Sequence, residues 1–104
     1  MADPLKRKVR ILRKIRKFIY RDAKSSLESW YEEAIKADWS SPQAIKDQYR
    51  NASIRSNNRV VFNICGNKYG LVVEMQYRAG IAWTKFLGTH AQYDMIDVET
   101  VNDY

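Results

Sequence analysis

Residues 59–97 read RVVFNICGNKYGLVVEMQYRAGIAWTKFLGTHAQYDMID, and this stretch decides the fold. Val60 to Cys65 is a run of β-branched and aromatic residues, the composition of a strand. Gly66-Asn67 supplies the positive φ angles of a two-residue hairpin turn. Lys68 to Tyr77 then alternates with period two, and Ala79-Gly80 turns it into a third run, Ile81 to Leu87. Strands that follow one another through short turns usually lie side by side, so these three predict an antiparallel meander.

Upstream of the meander the period changes. Leu27, Trp30, Tyr31, Ala34 and Ile35 recur at spacings of three and four, which places them on one face of a helix. Ser25 followed by Glu28 fits a capping box and predicts the start of that helix. Ser41-Pro42 reads as an N-cap with proline in the first turn, opening a short helix toward Tyr49. Residues 50–58 are polar and without period, and read as a loop. Val9 and Ile11 alternate with basic residues as an edge strand would. Leu12, Ile15, Phe18 and Ile19 then follow helical spacing. Residues 1–5 have no pattern and are expected to be a flexible end. The sum is an α+β domain, a small meander packed against N-terminal helices, with residues 1–104 forming one domain.

Bulk properties narrow the function. Hydrophobic residues make up 45% and charged residues 29% of the 104, as in an ordinary globule. No apolar run approaches the roughly 20 residues that span a membrane, and no signal-peptide core is present, so a cytoplasmic protein with no membrane association is expected. One cysteine, Cys65, excludes an internal disulfide, and with a single histidine it leaves no zinc set. No metal or other cofactor is expected. The net charge of +6 is uneven: residues 6–21 hold nine Lys/Arg and no acid, whereas residues 22–104 hold nine Lys/Arg against eleven Asp/Glu. Such a basic block suits a phosphate backbone, where each neutralised phosphate releases counterions. A solvated helix face would look the same.

RNA cleavage without a metal requires a base for the ribose 2′-hydroxyl, an acid for the leaving 5′-oxygen, and cations for the phosphorane. Histidine suits proton transfer because imidazole titrates near working pH. Arginine and lysine suit the charge, and tyrosine can bond phosphate or stack on a base. The chain offers His90 and Tyr93 three residues apart, after a strand that ends near Lys85. Lys68 begins the middle strand and Arg59 the first. On a meander these ends could converge on one concave face. Each residue has a plainer reading too. His90 can be a structural surface residue, Tyr93 a core anchor, Lys68 and Lys85 solvated strand charges. Asn67 is explained by the turn, and Cys65 reads as a buried small hydrophobe.

The segments Val61-Phe62-Asn63-Ile64, Gly66-Asn67-Lys68-Tyr69 and Gly88-Thr89-His90 with Tyr93-Asp94 resemble the HigB branch of the RelE-like toxins. Trp30 to Ala34, then Lys36-Ala37-Asp38-Trp39 and Ser41-Pro42, extend the resemblance over most of the chain. It implies a RelE-like fold and the toxin of a type II toxin–antitoxin pair, an endoribonuclease that cuts mRNA in the A site of the small ribosomal subunit. It implies a cognate antitoxin in a hetero-oligomeric complex. Position by position, it points to His90, Tyr93, Lys68 and Lys85 as active-surface residues, with Arg59, Asn67 and Arg78 as RNA contacts. One position departs. Where such toxins carry an arginine aimed at phosphate, in a run like NKYRLVV, this chain has Gly70. Glycine is also poor inside a strand, by roughly 0.5–1 kcal/mol relative to alanine. A deliberate replacement or a natural loss would each give a chain that folds and binds its antitoxin but cuts poorly. The other reading is a non-catalytic RNA-binding or antitoxin-docking module that works through the basic N-terminal segment.

Overall fold

A computed structural model of the protein describes residues 9–10 and 21–102. The predicted helix over Leu12 to Ile19, most of the basic segment 6–21 and the flexible end lie outside the described residues. The elements are β1 (Val9–Arg10), α1 (Arg21–Lys36), α2 (Pro42–Gln48), β2 (Ser53–Ile54), β3 (Arg59–Ile64), β4 (Tyr69–Gln76), β5 (Ile81–Thr89) and α3 (His90–Tyr93). They form a five-stranded sheet in the order β1-β5-β4-β3-β2. β3, β4 and β5 are the predicted antiparallel meander, and β1 adds to β5 in parallel, Val9 opposite Ala82. The class is α+β, as expected.

Period-two alternation gives the sheet two faces. On one, Val60, Phe62, Ile64, Tyr69, Leu71, Val73, Met75, Ala82 and Leu87 meet Ala23, Leu27, Trp30 and Ala34 of α1 and Ile45 of α2. Phe62 sits at the hub, with ring centroids 5.3 Å from Trp30, 5.5 Å from Trp39 and 5.3 Å from Tyr49. Of the aromatic residues on the helical stripe, Trp30 is core and Tyr31 packs half-buried against it. On the other face Val61, Val72 and Phe86 are covered by Val98 of the C-terminal tail, with Tyr93, Ile96 and Val101 beside them.

Ser41 caps α2 as predicted, its hydroxyl accepting from Ala44 N at 3.2 Å. Other boundaries moved. α1 already runs from Arg21, so Ser25 and Glu28 lie within it and do not open it. Ala23 extends the buried stripe one turn upstream of Leu27, and burying it keeps that turn helical. The stretch 50–58 contains β2, two residues paired to β3 and too short for any period to register. In the β3–β4 turn the left-handed residues are Cys65 (φ 58°) and Gly66 (φ 65°), not Gly66 and Asn67. Cys65 has thus left the strand and is half-buried rather than core, its Sγ 3.4 Å from the Asp22 carbonyl.

One irregularity interrupts the pairing of β4 with β5. The two strands pair Val72 with Phe86 but Val73 with Thr84, leaving Lys85 as the extra residue of a β-bulge. Thr84 faces the helices, Lys85 and Phe86 both face the tail, and Leu87 returns to the helix side. Lys85 is therefore mid-strand, and β5 continues to Thr89.

Candidate active site

The site lies where β4 begins and β5 ends, on the tail face. Here Asn63, Gly70 and Gly88 stand in one row across three strands, Asn63 opposite Gly70 and Gly70 opposite Gly88. Two of the three have no side chain, so the row forms a backbone floor. A Cβ at Gly88 would lie 2.6 Å from Phe86 Cζ and 2.7 Å from Gln92 Oε1, distances that real Cβ atoms do not show. At Gly70 it would lie 3.3 Å from Tyr93 Cδ1, a tight contact with a half-buried side chain.

α3 turns back over this floor. Thr89 Oγ1 accepts from Gln92 N at 3.3 Å and Gln92 Oε1 accepts from Thr89 N at 2.9 Å, a reciprocal capping box that fixes how the short helix leaves β5. The cap orients two residues. The Tyr93 ring rests against Gly70, and His90 stands exposed beside it, ring centroids 5.9 Å apart at 75°. The Tyr93 hydroxyl is met by Arg55, whose Nη1 is 3.4 Å away. Arg55 follows β2 and donates its backbone N–H to Arg59 O at 2.8 Å, which keeps it in strand phase and on the tail face. Its Nη2 lies 3.5 Å from Glu99 Oε2, and both side chains are exposed to more than a third.

The residues singled out from sequence do not all converge here. Lys68 precedes Tyr69, which pairs with Thr89, so it shares this end of the sheet with His90. Its ammonium is ion-paired with Asp22 of α1, which also accepts from the Tyr69 hydroxyl at 2.6 Å. The Lys68 and Tyr69 bonds hold the Asp22 carboxyl below its ordinary range, and Asp22 in turn raises Lys68. Asn67 is exposed in the adjoining turn. Arg59 and Lys85 lie elsewhere, around Glu74, which is four residues and roughly 13 Å along β4 from Gly70. Arg59 is 5% exposed; its Nε donates to Val98 O at 3.1 Å and its Nη2 to Val101 O at 3.0 Å, while Nη1 is 3.4 Å from Glu74. It ties the tail to the sheet and does not face solvent. Lys85 donates to Asn102 Oδ1 at 2.9 Å and lies 3.5 Å from Glu74. Arg78 is in the turn at the opposite end of β4.

Sequence reasoning missed Arg55, Asn63 and the α3 cap. The cap had a signal, since Thr89-His90-Ala91-Gln92 fits the S/T-x-x-Q pattern. Arg55 had none, because a two-residue strand carries no readable phase.

Among the described residues no three His, Cys, Asp or Glu side chains are grouped to hold a metal ion, and no helix is long and apolar enough to cross a membrane. No individual curated protein is similar enough to match. A family model does match: the HigB toxin, RelE-like toxic component of a toxin–antitoxin system, aligns with residues 23–96. That span takes in most of α1, then α2, the whole meander and α3, and stops short of the tail residues that Arg59 holds. With the fold, the floor of glycines and the His90–Tyr93 corner lying inside the match, the chain belongs to the HigB family of RelE-like toxins, a family whose members are paired with an antitoxin.

Proposed function

We propose that this toxin is a metal-independent endoribonuclease that cuts mRNA on the ribosome, with His90 and Tyr93 at its reacting centre. The observation that carries the reading is their geometry. An exposed imidazole and a phenol share one corner, supported from below by Gly70. In the reaction the 2′-oxygen forms a bond to phosphorus as the bond to the 5′-oxygen breaks. The 2′-proton passes to a base and a proton is delivered to the 5′-oxygen, leaving a cyclic phosphate and a free hydroxyl. His90 serves proton transfer or substrate positioning, because imidazole can carry a proton either way near neutral pH. Tyr93 orients the phosphate or stacks on an exposed base. Lys68, 59% exposed at the same end, exchanges Asp22 for a phosphate oxygen. Arg59 and Lys85 brace the tail face and do not touch RNA. The protein acts in the cytoplasm, where its substrate is, as a single domain.

Cleavage of mRNA on programmed ribosomes by the purified chain and by His90→Ala tests this. We expect the alanine variant to lose most of the activity; full activity in it would remove the central assignment. A second reading rests on the nine cations in residues 6–21. It makes the chain a non-catalytic RNA binder or antitoxin dock, with salt-sensitive binding that survives changes at His90 and Tyr93 but not neutralisation of residues 6–17.

A further inference from the structure

We propose that Arg55 binds the substrate phosphate at this same site, an assignment that rests on the nuclease reading above. The cations on this face differ in what they already hold. Arg59 is buried, with its nitrogens spent on two tail carbonyls and Glu74. Lys85, 15% exposed, bonds Asn102 and lies against the same Glu74. Arg55 is different: 40% exposed, it approaches the corner directly, Nη1 3.4 Å from the Tyr93 hydroxyl. His90 touches Tyr93 as well, so the imidazole and the guanidinium address one tyrosine.

The contacts of Arg55 are long, 3.4 Å to Tyr93 and 3.5 Å to Glu99, and they occupy two of its five N–H donors. A guanidinium is a planar fork that matches two oxygens at once, and the two non-bridging oxygens of a phosphodiester fit it better than one distant carboxylate oxygen. Glu99 is a placeholder: exposed, opposite in charge, and itself steered by Asn57, whose Nδ2 donates to the Glu99 carbonyl at 2.8 Å. Arriving RNA displaces the carboxylate, and Arg55 then faces the charge that builds on the non-bridging oxygens as the 2′-oxygen adds. With glycine at position 70, the floor beneath Tyr93 contributes no cation of its own. Arg55 supplies one from the side.

The test uses the full chain with two readouts, cleavage of mRNA on programmed ribosomes and affinity for a synthetic single-stranded RNA across a salt series. Arg55→Ala should cut 10²–10³-fold more slowly, the loss typical of one donor aimed at developing charge. Its plot of log affinity against log salt should flatten by about 0.7, the contribution of one phosphate contact on a single strand. Arg55→Gln keeps a donor near Tyr93 without the charge and should behave the same, so the result does not depend on how the alanine variant folds. Arg55→Lys should keep the salt slope but recover only part of the rate. Glu99→Gln should bind RNA several-fold more tightly. If Arg55→Ala and Arg55→Gln cut at the parent rate with an unchanged slope while His90→Ala is inactive, the assignment of Arg55 is overturned and the nuclease reading stands. If the parent chain neither cuts nor binds RNA, both are overturned.

Discussion

Tyr93 approaches Gly70 closely enough that a Cβ there would sit 3.3 Å from its Cδ1, while Gly88, directly opposite in the sheet, has room for no Cβ at all. The two glycines look alike in register but have different causes. Gly88 is demanded by Phe86 and Gln92. Gly70 is merely covered, by a half-buried side chain on a four-residue helix, and a Cβ there requires that side chain to give by a few tenths of an ångström.

Gly70→Arg should therefore fold. Its backbone gains roughly 0.5–1 kcal/mol from losing glycine in a strand, offset by the displacement of Tyr93. The new cation should raise cleavage by 10²–10³. Induced expression should arrest growth more strongly than the parent chain, and co-expression of the neighbouring reading frame should relieve it. An arginine variant as mild as its parent would count against a missing cation at this position.

Gly88→Ala should not be tolerated so well. Forcing a methyl against Phe86 and Gln92 should cost about 1–3 kcal/mol, read as a lower denaturant midpoint at unchanged slope. The capping box involves the same Gln92, so amide exchange in residues 90–93 should rise with it.

Arg59→Ala separates support from recognition. It strips the Val98 and Val101 carbonyls of a buried charged donor and leaves Glu74 with one cation fewer. A loss of about 3 kcal/mol is expected, in the range for breaking a buried ionic network. Hydrogen exchange should show residues 97–102 released. RNA affinity per folded molecule should stay unchanged; a reduced salt slope would instead make Arg59 a phosphate contact.

The clamp between α1 and β4 carries a pH signature. The Asp22 carboxyl is lowered from 3.8, first by its bond from Lys68 and then by that from Tyr69. A carboxylate whose folded value is depressed stabilises the fold above its unfolded value and loses that contribution as pH falls through the folded one. Asp22→Asn should therefore have a melting temperature lower than the parent by a constant margin above about pH 5. The margin should shrink as the pH drops below about 4. A margin constant down to pH 2 would show that Asp22 is not coupled to folding.

The meander, the helix over Leu27 to Ile35 and the cap at Ser41 were legible because each repeats a period several times or uses turn chemistry with one structural meaning. β2 was not, since two residues contain no period. The bulge at Lys85 was not, because a single inserted residue looks in sequence like continued alternation. The cations were misplaced for other reasons: Lys85 reads as near a strand end only while β5 is taken to stop by Leu87, whereas it runs to Thr89. Arg59 reads as an RNA contact only while nothing indicates that the chain returns over it at Val98. His90 and Tyr93 were legible as neighbours through a spacing of three. Their placement over Gly70 depends on a hairpin register that only the folded sheet supplies.

The extra residue at Lys85 acts as a phase setter for the strand's far end. Everything beyond it, Phe86 through α3, is turned by half a pleat relative to Ile81–Thr84. Were β5 to pair regularly through Lys85, Phe86 would face the helices, Leu87 would go to the tail face, and Gly88, Thr89 and the helix they launch would be carried toward α1. His90 and Tyr93 would then be intact in sequence and on the wrong side of the sheet. Deleting Lys85 should only close the bulge, with Leu87 and Gly88 on their present faces. One residue inserted between Phe86 and Leu87 should instead misdirect the site while leaving every one of its side chains in place, a vulnerability that no alanine scan of the corner itself would reveal.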